Sequence, residues 1–158
     1  MMTTQETPRV TPEETRSLLE TIAEQARATG EFSSVALDEE GLAARFIDTD
    51  VDAAFRVDPC EGGFEVSMKT PDRWLSQSVE ATLMNSGDSI EELIDEELVE
   101  LGCEDGPLTL KHFRDEKMRY VFVSPAPGGA GAETLLACLR AYERAFAPLG
   151  DFAGEDDD

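Results

Sequence analysis

Apolar residues recur along this chain with two different spacings, and the change of spacing predicts where helices give way to strands. Near the N-terminus, one side of a helix with about 3.6 residues per turn is apolar at Leu18, Leu19, Ile22 and Ala26. The run from Thr11 to Glu14 combines an N-cap, a first-turn proline and a capping-box acid, and Gly30 supplies a stop. A first helix is therefore predicted from Thr11 to Gly30.

From Ser33 to Lys69 apolar and polar residues alternate, which is the period of strands with one buried face. Short polar turns separate the alternating runs, one at 38–41 and another at 48–50, and Gly62-Gly63 precedes the last run. Such short connections predict an antiparallel meander of three or four strands.

The second half predicts helices first and strands afterwards. One helix follows Asp72 and a second is opened by the capping pair Ser89 and Glu92. Two strands are predicted over Leu108–Phe113 and Met118–Val123, and a last helix over Leu135–Phe146. The second strand is apolar on both sides, which indicates an interior strand or one that a partner covers.

This order predicts an α+β fold, with a single antiparallel sheet and flanking helices in the order α-β-β-β(-β)-α-α-β-β-α. Residues 11–150 are expected to form one domain. Residues 1–10 are expected to be a flexible N-terminus, and residues 151–158 an acidic disordered tail.

Charge excludes more functions than it indicates. The 158 residues hold 35 Asp and Glu against 13 Lys and Arg, a formal net charge of −22. A field of that sign repels nucleic acid and anionic membranes. Two interpretations stay open: the acidity is an adaptation to a high-salt solvent, or it faces a partner.

Localisation is expected to be cytoplasmic. No apolar run approaches a transmembrane length and the N-terminus has no signal-peptide pattern. The three cysteines, Cys60, Cys103 and Cys138, form no CxxC pair, which suits free thiols in a reducing compartment.

Two motifs that suggest chemistry are incomplete. The run from Asp48 to Asp52 opens like a calcium loop, but Ala53 and Pro59 stand where glycine and glutamate are required. The glycine-rich loop 127–131 lacks the lysine of a phosphate loop. No catalytic, cofactor or metal residue is therefore predicted, and no cofactor is expected.

His112 is the only histidine, and no nucleophile motif accompanies it. An alternative function nevertheless stays open: a small-molecule-binding or enzymatic α+β domain with an unknown substrate. Its pocket would use His112, Glu97 or Tyr120, and coordinates with polar groups converging around His112 would favour it.

The helix after Asp72 has apolar residues on two sides. Leu75, Val79 and Leu83 form one stripe, whereas the opposite side carries Trp74, Ala81 and Met84. Either the next helix, Ile90–Leu101, covers this second side, or it is a partner-binding or dimer surface anchored by Trp74.

In element order, size and charge, the chain resembles the type III secretion chaperone-like fold, including the YbjN-like family. The likeness covers residues 11 to about 150 and is greatest in the stretch LKHFRDEKMRYVFVSP, the Leu135–Phe146 helix and the aromatic Phe152. The resemblance implies homodimers that wrap an extended client segment on apolar patches without nucleotide. The expected function is therefore a non-catalytic protein-binding domain, with a protein client and a homodimer as the candidate partners.

Overall fold

The computed structural model of this chain describes residues 12–46, 53–60, 63–86, 89–103, 108–127 and 131–146. Its elements, in chain order, are α1 (Pro12–Thr29), β1 (Phe32–Leu37), β2 (Leu42–Phe46), β3 (Ala54–Cys60), β4 (Gly63–Thr70), α2 (Arg73–Ser86), α3 (Ile90–Glu100), β5 (Lys111–Arg114), β6 (Tyr120–Pro125) and α4 (Ala132–Phe146). This order confirms the α+β class, with the fourth strand of the first group present. Several predicted features lie outside the described residues, among them the N-cap at Thr11, the segment 1–10, the run 48–52 and the tail 151–158.

All six strands form one sheet in the order β1-β2-β3-β4-β6-β5, and every neighbouring pair is antiparallel. β6 lies between β4 and β5, so the prediction of an interior strand is confirmed. Its successive residues Val121 and Phe122 are buried on opposite faces of the sheet, at 1% and 2% exposure.

The predicted bounds of the last two strands were wrong at their N-terminal ends. Leu108 is buried in the core, but β5 begins only at Lys111, because the Leu110 N–H bonds the Glu91 carboxylate at 2.9 Å instead of a strand. Met118 has φ 65° and lies in the turn before β6, where its side chain is 58% exposed. Alternation in the sequence therefore extends beyond the paired backbone on this hairpin.

Helix boundaries follow their capping residues. The Asp72 carboxylate accepts the Leu75 N–H at 3.2 Å at the start of α2. Ser89 and Glu92 form the predicted reciprocal capping box of α3. α1 is followed directly by Gly30, whose φ of 74° is a left-handed value that glycine adopts without strain.

The core lies between the helices and one face of the sheet. It contains the apolar stripes of the helices and the strand residues that point to the same face of the sheet. Its members include the fully buried Ile22, Phe55, Leu98, Leu139 and Phe146. The strand residues that alternate with them point to the opposite face of the sheet, which we call the helix-free face. It includes Arg56, Asp58, Glu65, Ser67, Lys69, Phe113, Val121 and Val123. The polar residues of β3 and β4 that alternate with the core residues are therefore collected on one side of the molecule.

The two edges of the sheet differ. At β1, the Arg27 side chain of α1 donates from Nε and Nη2 to the Val35 carbonyl oxygen, at 3.1 and 2.8 Å. At β5 all four residues are exposed. Among the residues that the structure describes, the β5 edge is protected by its shortness and by its charges at Lys111 and Arg114.

Among the described residues, none of the helices has both the length and the apolar character that crossing a bilayer requires.

Candidate functional site

The outer side of α2 is exposed where the sequence predicted a binding surface, and two of its exposed residues, Ala81 and Met84, are apolar. Gln77, Ala81 and Met84 follow one another at helical spacing and are exposed, and we call them the α2 stripe. Met84 is 84% exposed, while Leu75 on the opposite side is 1% exposed. Trp74 belongs to the same helix, but its side chain is outside the part that the structure describes.

Charge is scarce on α2. Only two of its 14 residues are charged, Arg73 and Glu80, whereas six of the 11 residues of α3 are acidic. Both charged residues of α2 are exposed and they have opposite signs, so this side of the helix has no net charge in a chain of −22. It therefore lacks the acidic surplus of the rest of the molecule, and an acidic surplus is unusual at the centre of a protein-binding surface.

The following helix does not cover this stripe. α3 packs against α4, and both Ala81 and Met84 remain exposed. The interpretation in which the helix Ile90–Leu101 shields the second side of α2 is therefore wrong for these two residues.

His112 joins α2 to the sheet. Its ring stacks on Phe122 with centroids 3.8 Å apart, its Nδ1 lies 2.9 Å from the Val121 carbonyl oxygen, and its Nε2 lies 2.6 Å from Glu80 Oε2. Through these two contacts the His112 ring links β5 to β6 and to α2.

Glu97 and Tyr120 do not converge on His112. The Glu97 carboxylate lies 4.0 Å from Arg144 of α4, and the Tyr120 ring is covered by the Arg114 guanidinium at 5.5 Å. Two surface cavities, of about 240 and 360 Å³, are lined by none of these three residues. Among the described residues, Glu97 and Tyr120 are therefore held by other partners than His112, and the enzymatic alternative stays a prediction.

Sequence reasoning missed a charged cluster on the helix-free face. Arg56, only 4% exposed, binds two carboxylates at once. It reaches Asp38 at 2.7 and 2.9 Å, and Asp58 at 3.0 and 3.1 Å. Close approach at Gly41 permits this, since a Cβ there would lie 2.2 Å from Asp58 Oδ1.

The cluster shifts the titration of its members in opposite directions. The hydrogen bonds from Arg56 lower the pKa of Asp38 to about 2. Burial raises the pKa of Asp58, and Arg56 only partly offsets that effect. Burial alone would lower the pKa of Arg56, but its bonds to the two aspartates outweigh burial and raise it. Arg56 is therefore a permanent cation at the centre of the cluster.

A second set of ion pairs joins two hairpin turns. Glu40 of the β1–β2 turn contacts Lys117 Nζ at 2.7 Å and Arg119 at 3.5 Å, both from the β5–β6 hairpin. Asp115 holds Arg119 from the same turn at 2.9 Å. These contacts bring the two turns together over the helix-free face, where a cavity of about 240 Å³ lies beneath them.

The alternating pattern correctly predicted the side of the sheet on which Arg56 lies, but it did not predict that Arg56 is buried. On the strand itself Arg56 is an outward residue, and its cover comes from the turn at Asp38, 18 positions away. A usable signal was present, since two of the three lysines, Lys69 and Lys117, belong to this face and its turns.

Within the described residues, the other motifs form no site. No disulfide joins Cys60, Cys103 and Cys138, and the last two are buried. Among the described residues no group of three metal-binding side chains is close enough to hold an ion. Residues 128–130 of the glycine-rich loop lie outside the described part of the chain.

No protein-family model matches this chain, and neither a curated protein nor a solved structure matches it. The resemblance to the type III secretion chaperone-like fold and the YbjN-like family stays a prediction.

Proposed function

We propose that this chain is a non-catalytic protein-binding domain, chaperone-like in that it engages a client segment on apolar surface without nucleotide. The observation that carries the proposal is the α2 stripe, where Met84 is 84% exposed on a helix with no net charge. We assign the activity to the cytoplasm, where cysteines that form no disulfide stay reduced.

The energetic argument rests on surface removed from water. An exposed methionine is flexible and polarisable, and it adapts to side chains of different shape. Fully burying such a side chain contributes roughly 1.5–3 kcal/mol. The rigid helix beneath it is fixed by buried Leu75 and Val79, so little order is lost when a partner binds.

Charge decides between the two candidate partners. A second copy of this chain also carries −22, so self-association through α2 meets repulsion between the two molecules. A client with apolar side chains flanked by lysine or arginine is attracted by the same field. We therefore propose a basic, apolar client segment as the occupant of the α2 stripe.

Synthetic peptides test the proposal without a known client. We expect 15-residue peptides that combine Leu or Phe with Lys or Arg to bind, and peptides with Asp in place of Lys to bind at least 10-fold more weakly. Met84→Gln should weaken binding of the basic peptides about 10-fold, because it replaces the apolar contact at similar volume. Fluorescence anisotropy of labelled peptides measures both effects.

Met118→Gln is the matched control, because Met118 is another exposed methionine, on the β5–β6 turn. It should leave peptide binding unchanged. Equal loss in both variants would refute a role for α2. Light scattering of the wild type at low and molar salt tests whether the chain forms a homodimer. If a dimer is present and Met84→Gln dissociates it, the α2 stripe binds a second copy instead of a client.

A further inference from the structure

The cavity between the two hairpin turns is a second, separate feature on the opposite side of the sheet from α2. Its volume is about 240 Å³, and its floor is the helix-free face. Lys69, Val121 and Phe113 stand side by side in register on β4, β6 and β5. With strands about 4.8 Å apart, this floor is roughly 10 Å wide, enough for a small molecule or one long side chain.

One part of the cavity is apolar. Val121 and Val123 are 1% and 9% exposed, and Phe113 closes the side at β5 with 47% of its surface still exposed. A half-exposed aromatic ring beside two aliphatic side chains favours a ligand with an alkyl stem. The ring face also attracts a cation placed over it.

The charged part has a surplus of carboxylates. Four acidic residues and three cations line the cavity. The cations have partners: Lys117 and Arg119 bind Glu40, and Lys69 lies 3.8 Å from Asp58. The remaining two carboxylates, Glu65 and Glu116, have no ion-pair partner among the described residues.

We propose that this cavity binds an alkylguanidinium or alkylammonium group. The cation lies against Glu65 and Glu116, and the alkyl stem packs on Val121, Val123 and the Phe113 ring. An anion is disfavoured because the lining cations are already paired. A bare metal ion is disfavoured because it would leave the apolar part unfilled, and no set of three metal ligands exists among the described residues.

Titration with n-butylguanidinium chloride, followed by amide and methyl NMR shifts, tests the site directly. We expect a dissociation constant of about 1 mM, in line with so few ligand atoms, and shifts concentrated at Val121, Val123 and Phe113. n-Butanol has only the alkyl stem and unsubstituted guanidinium has only the cation. Each should therefore bind at least 5-fold more weakly than n-butylguanidinium.

Glu65→Gln should weaken n-butylguanidinium binding at least 5-fold, whereas Glu133→Gln on α4 removes the same charge far from the cavity and should not. If Glu65→Gln fails to fold, Glu116→Gln on the turn is measured in its place. Equal affinity in the Glu65 and Glu133 variants, or shifts spread over the acidic surface, would overturn the proposal. The outcome at this cavity does not depend on the α2 stripe, because Met84→Gln tests that proposal separately.

A short peptide with one arginine, compared with the same peptide carrying citrulline, identifies the source of the cation. Binding of the arginine peptide as tight as that of the free probe assigns the cavity to a side chain of a polypeptide. Binding of the free probe alone assigns it to a small metabolite. Binding of the citrulline peptide as tight as the arginine peptide contradicts a cation site.

Discussion

Ser67 and Ser124 are both completely buried in neighbouring strands, but only one of them has a hydrogen-bond partner. Ser124 Oγ lies 2.5 Å from the Tyr142 hydroxyl of α4. Ser67 Oγ, on the helix-free face between Arg56 and Val123, has no partner among the described residues. A buried hydroxyl without a partner keeps the cost of its lost hydration.

The same substitution should therefore have opposite effects at the two serines. Ser67→Ala removes an unsatisfied hydroxyl, and we expect it to raise the free energy of unfolding by about 1 kcal/mol. Ser124→Ala orphans the Tyr142 hydroxyl, and we expect a loss of about 1–2 kcal/mol.

Urea unfolding at pH 7 measures both differences under identical conditions. A loss of stability in Ser67→Ala as large as that in Ser124→Ala would mean that the Ser67 hydroxyl is satisfied after all. Each serine thus serves as the control for the other.

At the scale of elements, α2 is tied only loosely to the sheet. Leu75 and Val79 anchor it in the core, and the His112 ring of β5 lies 2.6 Å from its Glu80 carboxylate. A helix held this way is expected to open locally before the rest of the fold.

We predict that His112→Ala speeds hydrogen exchange of the α2 amides about 5-fold, since it removes a partly exposed charged hydrogen bond of about 1 kcal/mol. Exchange in α4 should change little. Arg114→Ala is the control on the same edge strand, because its guanidinium contacts Tyr120 and not α2. A uniform acceleration over all helices would contradict a local role for His112.

The order of the elements, and the face of the sheet to which each strand residue points, were predictable from the sequence. Both depend on the hydrophobic period and on capping residues, which act locally. The capping box of Ser89 and Glu92 is one example, and the position of β6 inside the sheet is another. The start of β6 was not predictable, since Met118 continues the alternation while its backbone turns at φ 65°. Burial of Arg56 was missed because it depends on turns that are distant in sequence.

At the scale of the whole molecule, the charge of −22 opposes compactness, while the few cations are concentrated in specific contacts. Arg140 and Arg144 of α4 both bind Glu31, next to β1, at 2.9 and 3.0 Å. The cluster at Arg56 is buried, so salt screens it less than it screens the surface. Added salt should therefore relieve repulsion more than it weakens these contacts.

We predict that the melting temperature rises by several degrees between 0.1 and 1 M KCl, as the screening length falls from about 10 to about 3 Å. For a chain of this size, each 1 kcal/mol corresponds to about 2–4 °C. Differential scanning calorimetry measures the shift. A salt-insensitive midpoint would contradict adaptation to a high-salt solvent and favour the view that the acidity faces a partner.

The difference between the two sheet edges limits how molecules of this protein can stack. Fibre growth by strand addition needs an open hydrogen-bonding edge on both sides of every subunit. Here Arg27 occupies the Val35 carbonyl at β1, whereas all four residues of β5 are exposed. Within the part of the chain that the structure describes, pairing between molecules is therefore expected to use β5, which favours a pair of chains over a growing fibre.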